Sequence, residues 1–410
     1  MIGKGSVGKS LDDKVFAITD RAKKAIEIYG KENVINATIG VLYDDNEKLV
    51  SLDTVVDTYR NLEVTDIFSY ASEIDGDSLY KEAVRQIVLG KNYKDDFIGH
   101  FTEVIATPGG TGAIRNSLKN YLNPGEKVLL PKLMWGPYKI MAEEVGASFD
   151  TYEMFDETGK FNIKDFKNKV VKLLKEQENV VIIINDPCHN PTGYTLEINE
   201  WKEILKFLEE CSEEKNIILL NDIAYMDFSK RNLNEYRNLF KNLLENLLVI
   251  FLFSMSKSYT CYGLRAGAQL ALSKNKNVID EFLDVNKFSC RATWSNISRG
   301  AMALLSQIVL DDKKLENLSL ERNRYRDMLY KRAEIFLKES REIELKVFPY
   351  RDGFFITIPI KQDIEAVVKK LESENIFVVP LKNEIRIGLC SISIDKIYGL
   401  SKKIKQSIKE

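Results

Sequence analysis

Two periods of hydrophobicity alternate along most of the chain. Between Leu11 and Tyr29, Val15, Ile18, Ala22, Ala25, Ile26 and Ile28 recur at helical spacing, which predicts an amphipathic helix. Val34 to Val41 reads as a short extended stretch carrying Gly40. A glycine there can let backbone approach a ligand, although a plain turn is the default reading. Residues 50–60 and 79–89 read as helices, with a loop, Tyr70 to Gly76, between them. Strand-length apolar runs follow at 102–107, 127–131, 148–154, 180–185, 216–221, 248–253 and 266–272. Helical periods lie between several of them, at 113–121, 136–145, 162–177 and 197–211. Such alternation predicts an α/β domain, a mostly parallel seven-stranded sheet sandwiched by helices, with ligands at the carboxyl ends of the strands. Gly110, Thr111, Trp135, Asn190, Asp222, Tyr225 and Lys257 all fall at those ends.

Beyond Arg291 the pattern changes. Residues 296–310 and 312–339 read as long charged helices with an apolar face. An α+β ending follows, with strands near 344–348, 354–358 and 384–389 and helices near 362–374 and 394–408. The expected division is a large domain over 50–310 and a smaller one combining 1–49 with 311–410.

Composition adds exclusions. A chain of 410 residues has room for two domains and a sizeable core. Lys and Arg number 59 against 61 Asp and Glu, so neither nucleic acid nor an anionic membrane is indicated as a main partner. No apolar run reaches the length of a membrane span, and the N-terminal stretch has no apolar signal core. Five scattered cysteines without CxxC spacing read as free thiols of a cytoplasmic protein. With only His100 and His189, the inventory argues against a histidine-rich metal site or a Ser-His-Asp triad. Acid–base work then falls to lysine, tyrosine or carboxylates.

Residues 3–10, GKGSVGKS, match the Gly-x-x-x-x-Gly-Lys-Ser pattern of phosphate-binding loops. That motif works when a buried strand feeds the loop and a helix follows it. Only Met1 and Ile2 precede Gly3, so the stretch reads as a solvated tail and not as a nucleotide site.

The candidate chemistry concentrates at Phe251 to Ala268, FLFSMSKSYTCYGLRAGA. An apolar strand ends in Ser254-Met255-Ser256-Lys257, and Arg265 follows the lysine at a distance of eight residues. A lysine at a strand end can be partly desolvated, which lowers its pKa and populates the neutral amine that imine chemistry needs. The two serines and the arginine can hold a phosphate dianion, the arginine in bidentate fashion. An amine beside a phosphate grip is what a pyridoxal phosphate (PLP) enzyme requires. The competing reading is one solvated lysine among many at a sheet rim.

Five motifs stand in one order: Gly109-Gly110-Thr111-Gly112, Trp135, Cys188-His189-Asn190-Pro191-Thr192-Gly193, Asp222-Ile223-Ala224-Tyr225, and Ser254-Met255-Ser256-Lys257 with Arg265. In that order the chain resembles, over about its whole length, the aspartate/aromatic aminotransferases, class I members of the fold-type I PLP-dependent enzymes. The resemblance implies ping-pong transfer of an amino group between an amino acid (aspartate, glutamate or aromatic) and a 2-oxo acid such as 2-oxoglutarate. Lys257 would be the Schiff-base lysine and, once released, the proton shuttle at the substrate α-carbon. Asp222 would pair with the pyridinium nitrogen, Asn190 and Tyr225 would hydrogen-bond the ring's phenolic oxygen, and Trp135 would stack on the ring. Gly110, Thr111, Ser254, Ser256 and Arg265 would grip the phosphate, and Asn190-Pro191 would be a cis peptide.

The same resemblance makes Arg386 the clamp for the substrate α-carboxylate, with Gly40, Trp135 and Asn190 also bordering the substrate. Arg291 would reach into the neighbouring subunit's site for a distal carboxylate, and Tyr70 would cross likewise to the phosphate. Sites completed in this way imply an obligate, two-fold symmetric homodimer. The chain departs from the family pattern after Trp135, where Gly-Pro-Tyr replaces the usual Pro-Asn-His. Tyr138 thus takes the place of a histidine behind the pyridinium aspartate. The loop after Tyr70 is also one residue longer than usual. A PLP-dependent lyase on the same fold is the alternative, disfavoured by Arg291, which suits an acidic co-substrate. A PLP-binding regulator would need an appended DNA-binding domain, for which the segment before Gly40 is too short. The plainest reading is an α/β protein that happens to carry a P-loop-like tail.

Overall fold

The computed structural model describes residues 7–10 and 14–409. The chain forms two compact units. One comprises Val50–Tyr330 with Pro349–Gly353; the other combines the chain up to Leu49 with Lys331–Phe348 and the chain from Phe354 onward. The division falls between Tyr330 and Lys331, inside the helix Asp312–Glu342, and not ahead of that helix at 310. A change of sequence pattern marks where a helix begins, which is a different thing from where its packing partners change.

Strand β1 (Ile35–Asn36) belongs to the smaller unit. The larger unit is organised by seven strands: β2 (Phe101–Thr107), β3 (Lys127–Pro131), β4 (Ser148–Tyr152), β5 (Asn179–Asn185), β6 (Asn216–Asp222), β7 (Leu247–Ser254) and β8 (Gly267–Ser273). They lie in the order β2-β8-β7-β6-β5-β3-β4. All neighbours are parallel except the two pairs made by β8. The link from β7 to β8 holds only a one-turn helix, Met255–Ser258, and a short turn, with no crossover helix of the kind that joins a parallel pair. Strands β5, β6 and β7 are apolar almost throughout because helices cover both faces. Val181, Ile183, Leu220 and Ile250 pack on one face with Ile114, Leu118, Met141 and Phe282. On the alternate side Phe251 meets Phe240 edge to face, and Phe240 meets Trp201 in the same way.

In the smaller unit, β9 (Phe355–Pro359), β10 (Ile376–Phe377), β11 (Val379–Pro380) and β12 (Glu384–Gly388) complete the strands. β11, β12 and β9 form an antiparallel sheet with β12 at its centre, while β1 pairs with β10 in parallel. The helix Lys14–Tyr29 buries Ile18, Ala22 and Ala25 with Val34 and Phe377. Two expectations fail here. The strand expected at 344–348 does not form: Glu344 has a φ of 55° and, near the segment's end, Phe348 N donates to Thr357 O at 2.9 Å. The helix expected over 394–408 is two, Ile394–Ile397 and Leu400–Lys409, parted at Gly399, whose φ of 74° no helix interior accommodates. Of the GKGSVGKS segment, Val7 to Ser10 are exposed, and residues 3–6 lie outside the described residues. Among the described residues no helix is long and apolar enough to cross a membrane.

Candidate active site

The carboxyl ends of the strands meet at one pocket of the larger unit, about 600 Å³ counted to its open mouth. At the end of β7 the Ser254 Oγ accepts from Ser256 N at 3.3 Å and caps the one-turn helix that presents Lys257. Lys257 Nζ lies 4.7 Å from the ring centre of Tyr262 and 5.9 Å from that of Tyr225.

Two glycines decide the geometry beside it. Gly109 has a φ of 70°, and a Cβ there would stand 2.8 Å from Arg265 Nη2. A Cβ on Gly267 would stand 2.5 Å from Phe253 O and 2.7 Å from the Gly109 carbonyl carbon. Side-chain-free backbone therefore lets β7, β8 and the turn after β2 close on one another. The closure sets Arg265 beside the serines, with Nη1 donating to Ser256 Oγ at 3.2 Å and Tyr262 O at 3.1 Å. The helix Gly109–Tyr121 starts at the same spot. Its first N–H groups and dipole favour an anion, as do the hydroxyls of Ser254 and Ser256 and the guanidinium of Arg265.

Across the pocket Asp222, the last residue of β6, is 6% exposed. Its Oδ2 accepts from Tyr138 Oη at 2.5 Å and its Oδ1 from Ala224 N at 3.1 Å. Burial pushes the Asp222 carboxyl above the usual carboxylate range, and those two hydrogen bonds pull the other way. The loop after β5 is tied to the same strand end. Asn185 Nδ2 donates to Asp222 O at 2.9 Å, Asn190 N donates to Asn185 Oδ1 at 2.8 Å, and Asn190 Nδ2 to Tyr225 Oη at 3.4 Å. Asn190-Pro191 is cis, as the resemblance implied, and so is Asp186-Pro187. The loop is anchored at Asp186, whose buried carboxylate takes Trp201 Nε1 at 2.8 Å, Leu196 N at 2.7 Å and the guanidinium of Arg231. Burial in the same loop holds His189 neutral, its pKa pushed down to about 3, with Nδ1 2.8 Å from Thr192 Oγ1.

Gly110, Thr111, Trp135 and Asn190 line this pocket together with Asp222, Tyr225, Ser254, Ser256, Lys257 and Arg265. Tyr70 and Arg291 do not. They line a second hollow of the same unit, where Tyr70 is 89% exposed and Arg291 Nη1 donates to Ser295 Oγ at 2.6 Å. Arg291 rides on a helix, Lys276–Thr293, for which the sequence reading had no element. Gly40 and Arg386 belong to the smaller unit. There Arg386 is 8% exposed, donates from Nη2 to Thr38 O at 3.0 Å, and holds its guanidinium 4.4 Å over the Phe355 ring. A Cβ on Gly40 would meet that same ring at 3.2 Å. Ile114, Asn185 and Ala224 also line the pocket and were not among the sequence candidates; for Asn185, a polar residue closing an apolar strand was the available signal.

Residues 32–404 match the family described as aminotransferase class I and II. The chain belongs to that family. A solved aminotransferase from Anaerococcus prevotii is 35% identical with a TM-score of 0.94, each chain covering 100% of the other. A tyrosine aminotransferase from Rhizobium meliloti is 25% identical over 96% of this chain and 98% of its own. The structure of an aromatic-amino-acid aminotransferase from Burkholderia pseudomallei, covalently bound to pyridoxal phosphate, shares the fold at a TM-score of 0.80 and 20% identity, with full coverage of both chains. The protein is thus a PLP-dependent aminotransferase of fold type I, transferring an amino group between amino acid and 2-oxo acid. The pocket's donor set fits that cofactor. It offers an amine, a buried carboxylate for a cationic ring nitrogen, and a cradle for a phosphate that a Cβ on Gly109 would fill.

Proposed function

We propose that this pocket is the cofactor site of a homodimeric, cytoplasmic aminotransferase, and that Lys257 is the amine that holds PLP covalently. The observation that carries the reading is the sharing of one pocket by Lys257, the buried Asp222 and the Ser254–Ser256–Arg265 cradle. When bound, PLP withdraws electrons from the substrate's α-carbon. Asp222 favours a proton on the ring nitrogen, and Asn190 and Tyr225 hold the ring oxygen. Trp135 covers one ring face. Gly110, Thr111, Ser254, Ser256 and Arg265 take the phosphate. Lys257 Nζ moves the proton at the substrate α-carbon.

Arg386 takes the substrate α-carboxylate, for which a planar fork suits a bidentate grip, and Gly40 leaves room beside it. Arg291 and Tyr70, both exposed in the second hollow, serve the partner subunit across a two-fold axis: Arg291 for a distal carboxylate, Tyr70 for the phosphate. The substrates are dicarboxylic or aromatic amino acids, with 2-oxoglutarate as acceptor. In this reading Val50–Tyr330 is the large, cofactor-holding domain and the remaining unit the small one. Five free cysteines accord with a reducing compartment. The test is borohydride treatment of the purified holoprotein followed by peptide mass mapping, with a panel of amino donors against 2-oxoglutarate. The expected label is on Lys257; a label on another lysine overturns the assignment.

A further inference from the structure

Tyr138 lines the same pocket as Lys257. It sits in the first turn of the helix Pro137–Glu144, with Pro137 ahead of it and its own N–H donating to Trp135 O at 3.1 Å. Its ring is 1% exposed and stands edge to face on the Trp135 indole at 5.4 Å, inside the core that also holds Met134 and Met141. A tyrosine so buried needs a partner for its hydroxyl, and that partner is Asp222 Oδ2. One side chain therefore holds two groups of the site, an aromatic plane and a carboxylate.

We propose that Tyr138 is a positioning residue for transamination: its phenol O–H fixes the Asp222 carboxylate and favours its ionised form, so that cofactor affinity depends on Tyr138 through Asp222. The inference rests on the reading of Asp222 given above. Burial and the neighbouring Asp222 charge push the Tyr138 phenol well above its ordinary range, so the hydroxyl stays neutral and donating over the whole working pH range. Any negative charge of the pair therefore sits on Asp222 and not on the phenol. The other titratable groups around it are the Tyr225 and Tyr152 phenols, with Lys257 and Arg265 along the pocket wall. Without the phenol, Asp222 would keep its bond from Ala224 N, and burial would raise its carboxyl further.

Tyr138→Phe removes the hydroxyl and keeps the ring against Trp135. Two readouts test the proposal. In the apoprotein, the infrared carbonyl band of protonated Asp222, assigned by its loss in Asp222→Ala, should titrate at higher pH in Tyr138→Phe than in wild type. In equilibrium dialysis against PLP, Tyr138→Phe should bind roughly tenfold or more weakly, the size of a lost hydrogen bond to a charged group. That penalty should vanish when Asp222 is already alanine. An unmoved infrared midpoint, or an equal penalty in both backgrounds, overturns the proposal and leaves Tyr138 a packing residue. Failure of wild type to bind PLP at all would instead remove the cofactor-site reading, which the apoprotein titration does not require. If Tyr138→Phe does not fold, Tyr138→His takes its place, and its PLP affinity relative to wild type should change between pH 5 and 9; a constant ratio overturns the proposal.

Discussion

Replacing Arg386, the proposed carboxylate clamp, by lysine keeps a positive charge and removes the planar fork, which isolates the part of the proposed grip that geometry supplies. Arg386 lies on the central strand of a three-stranded sheet, paired with Thr357 on one side and Val379 on the other. Its guanidinium is buried, bonded to Thr38 O at 3.0 Å and lying 4.4 Å over the Phe355 ring, so little motion is left to it before a carboxylate arrives. An ammonium has no plane to rest on that ring and cannot present two parallel N–H bonds. The loss is about one hydrogen bond to a charged group, roughly 1.5–3 kcal/mol. At about 1.4 kcal/mol per tenfold, kcat/KM should fall roughly 10- to 150-fold. Every amino acid carries the α-carboxylate, so steady-state assays should return the same factor for aspartate and for phenylalanine. A fall below about threefold for both, or one confined to aspartate, would refute the reasoning.

Arg291→Ala should behave oppositely, losing roughly thirtyfold or more in kcat/KM for aspartate or 2-oxoglutarate, the low end of an unpaired buried carboxylate, and far less for phenylalanine in the donor half-reaction. Mixing Arg291→Ala with Lys257→Ala subunits should restore one working site per heterodimer, and no recovery on mixing would place the arginine in its own subunit's site. Arg231→Met leaves the buried Asp186 carboxylate with Trp201 Nε1 and Leu196 N alone, a cost of about 3–5 kcal/mol that should lower the Tm by roughly 6 °C or more. Asp186→Asn in the same chain should recover much of it, and a double variant as unstable as the sum of its parts counts against the charge argument. His189 titrates at about 3 in the fold and near 6.5 unfolded, so the unfolded chain binds the extra proton between those values and stability drains away as pH falls through that window. His189→Asn should flatten the slope in acid denaturation, and an equally steep slope would show that other groups set it.

Much of the larger unit was legible because its signals are local. An apolar run between turn residues reports burial on both faces whatever the partner, so β2 through β8 lie within two residues of their expected bounds. The smaller unit was read less well for the same reason. Leu345 to Phe348 alternates like a strand, but no neighbouring strand completes a ladder with it, and a ladder is what makes a strand. The periodicity of 394–408 runs through Gly399 unchanged, while the backbone there does not.

The sequence alone determined the succession of strands in the larger unit, the sheet's mostly parallel character and which lysine, aspartate, serines and arginines are candidates for the site, since residue type and spacing are properties of the chain. The resemblance also marked Tyr138 as a departure from the family pattern. The tertiary structure decided what that departure does. Tyr138 and Asp222 stand 84 residues apart, and their hydrogen bond exists because β3 and β6 end at the same edge of one sheet. Likewise Gly109, Gly267 and Arg265 acquire their meaning only when β2, β8 and β7 lie side by side and no Cβ stands between them. Register and crossover set such distances, and no period of a linear chain encodes them.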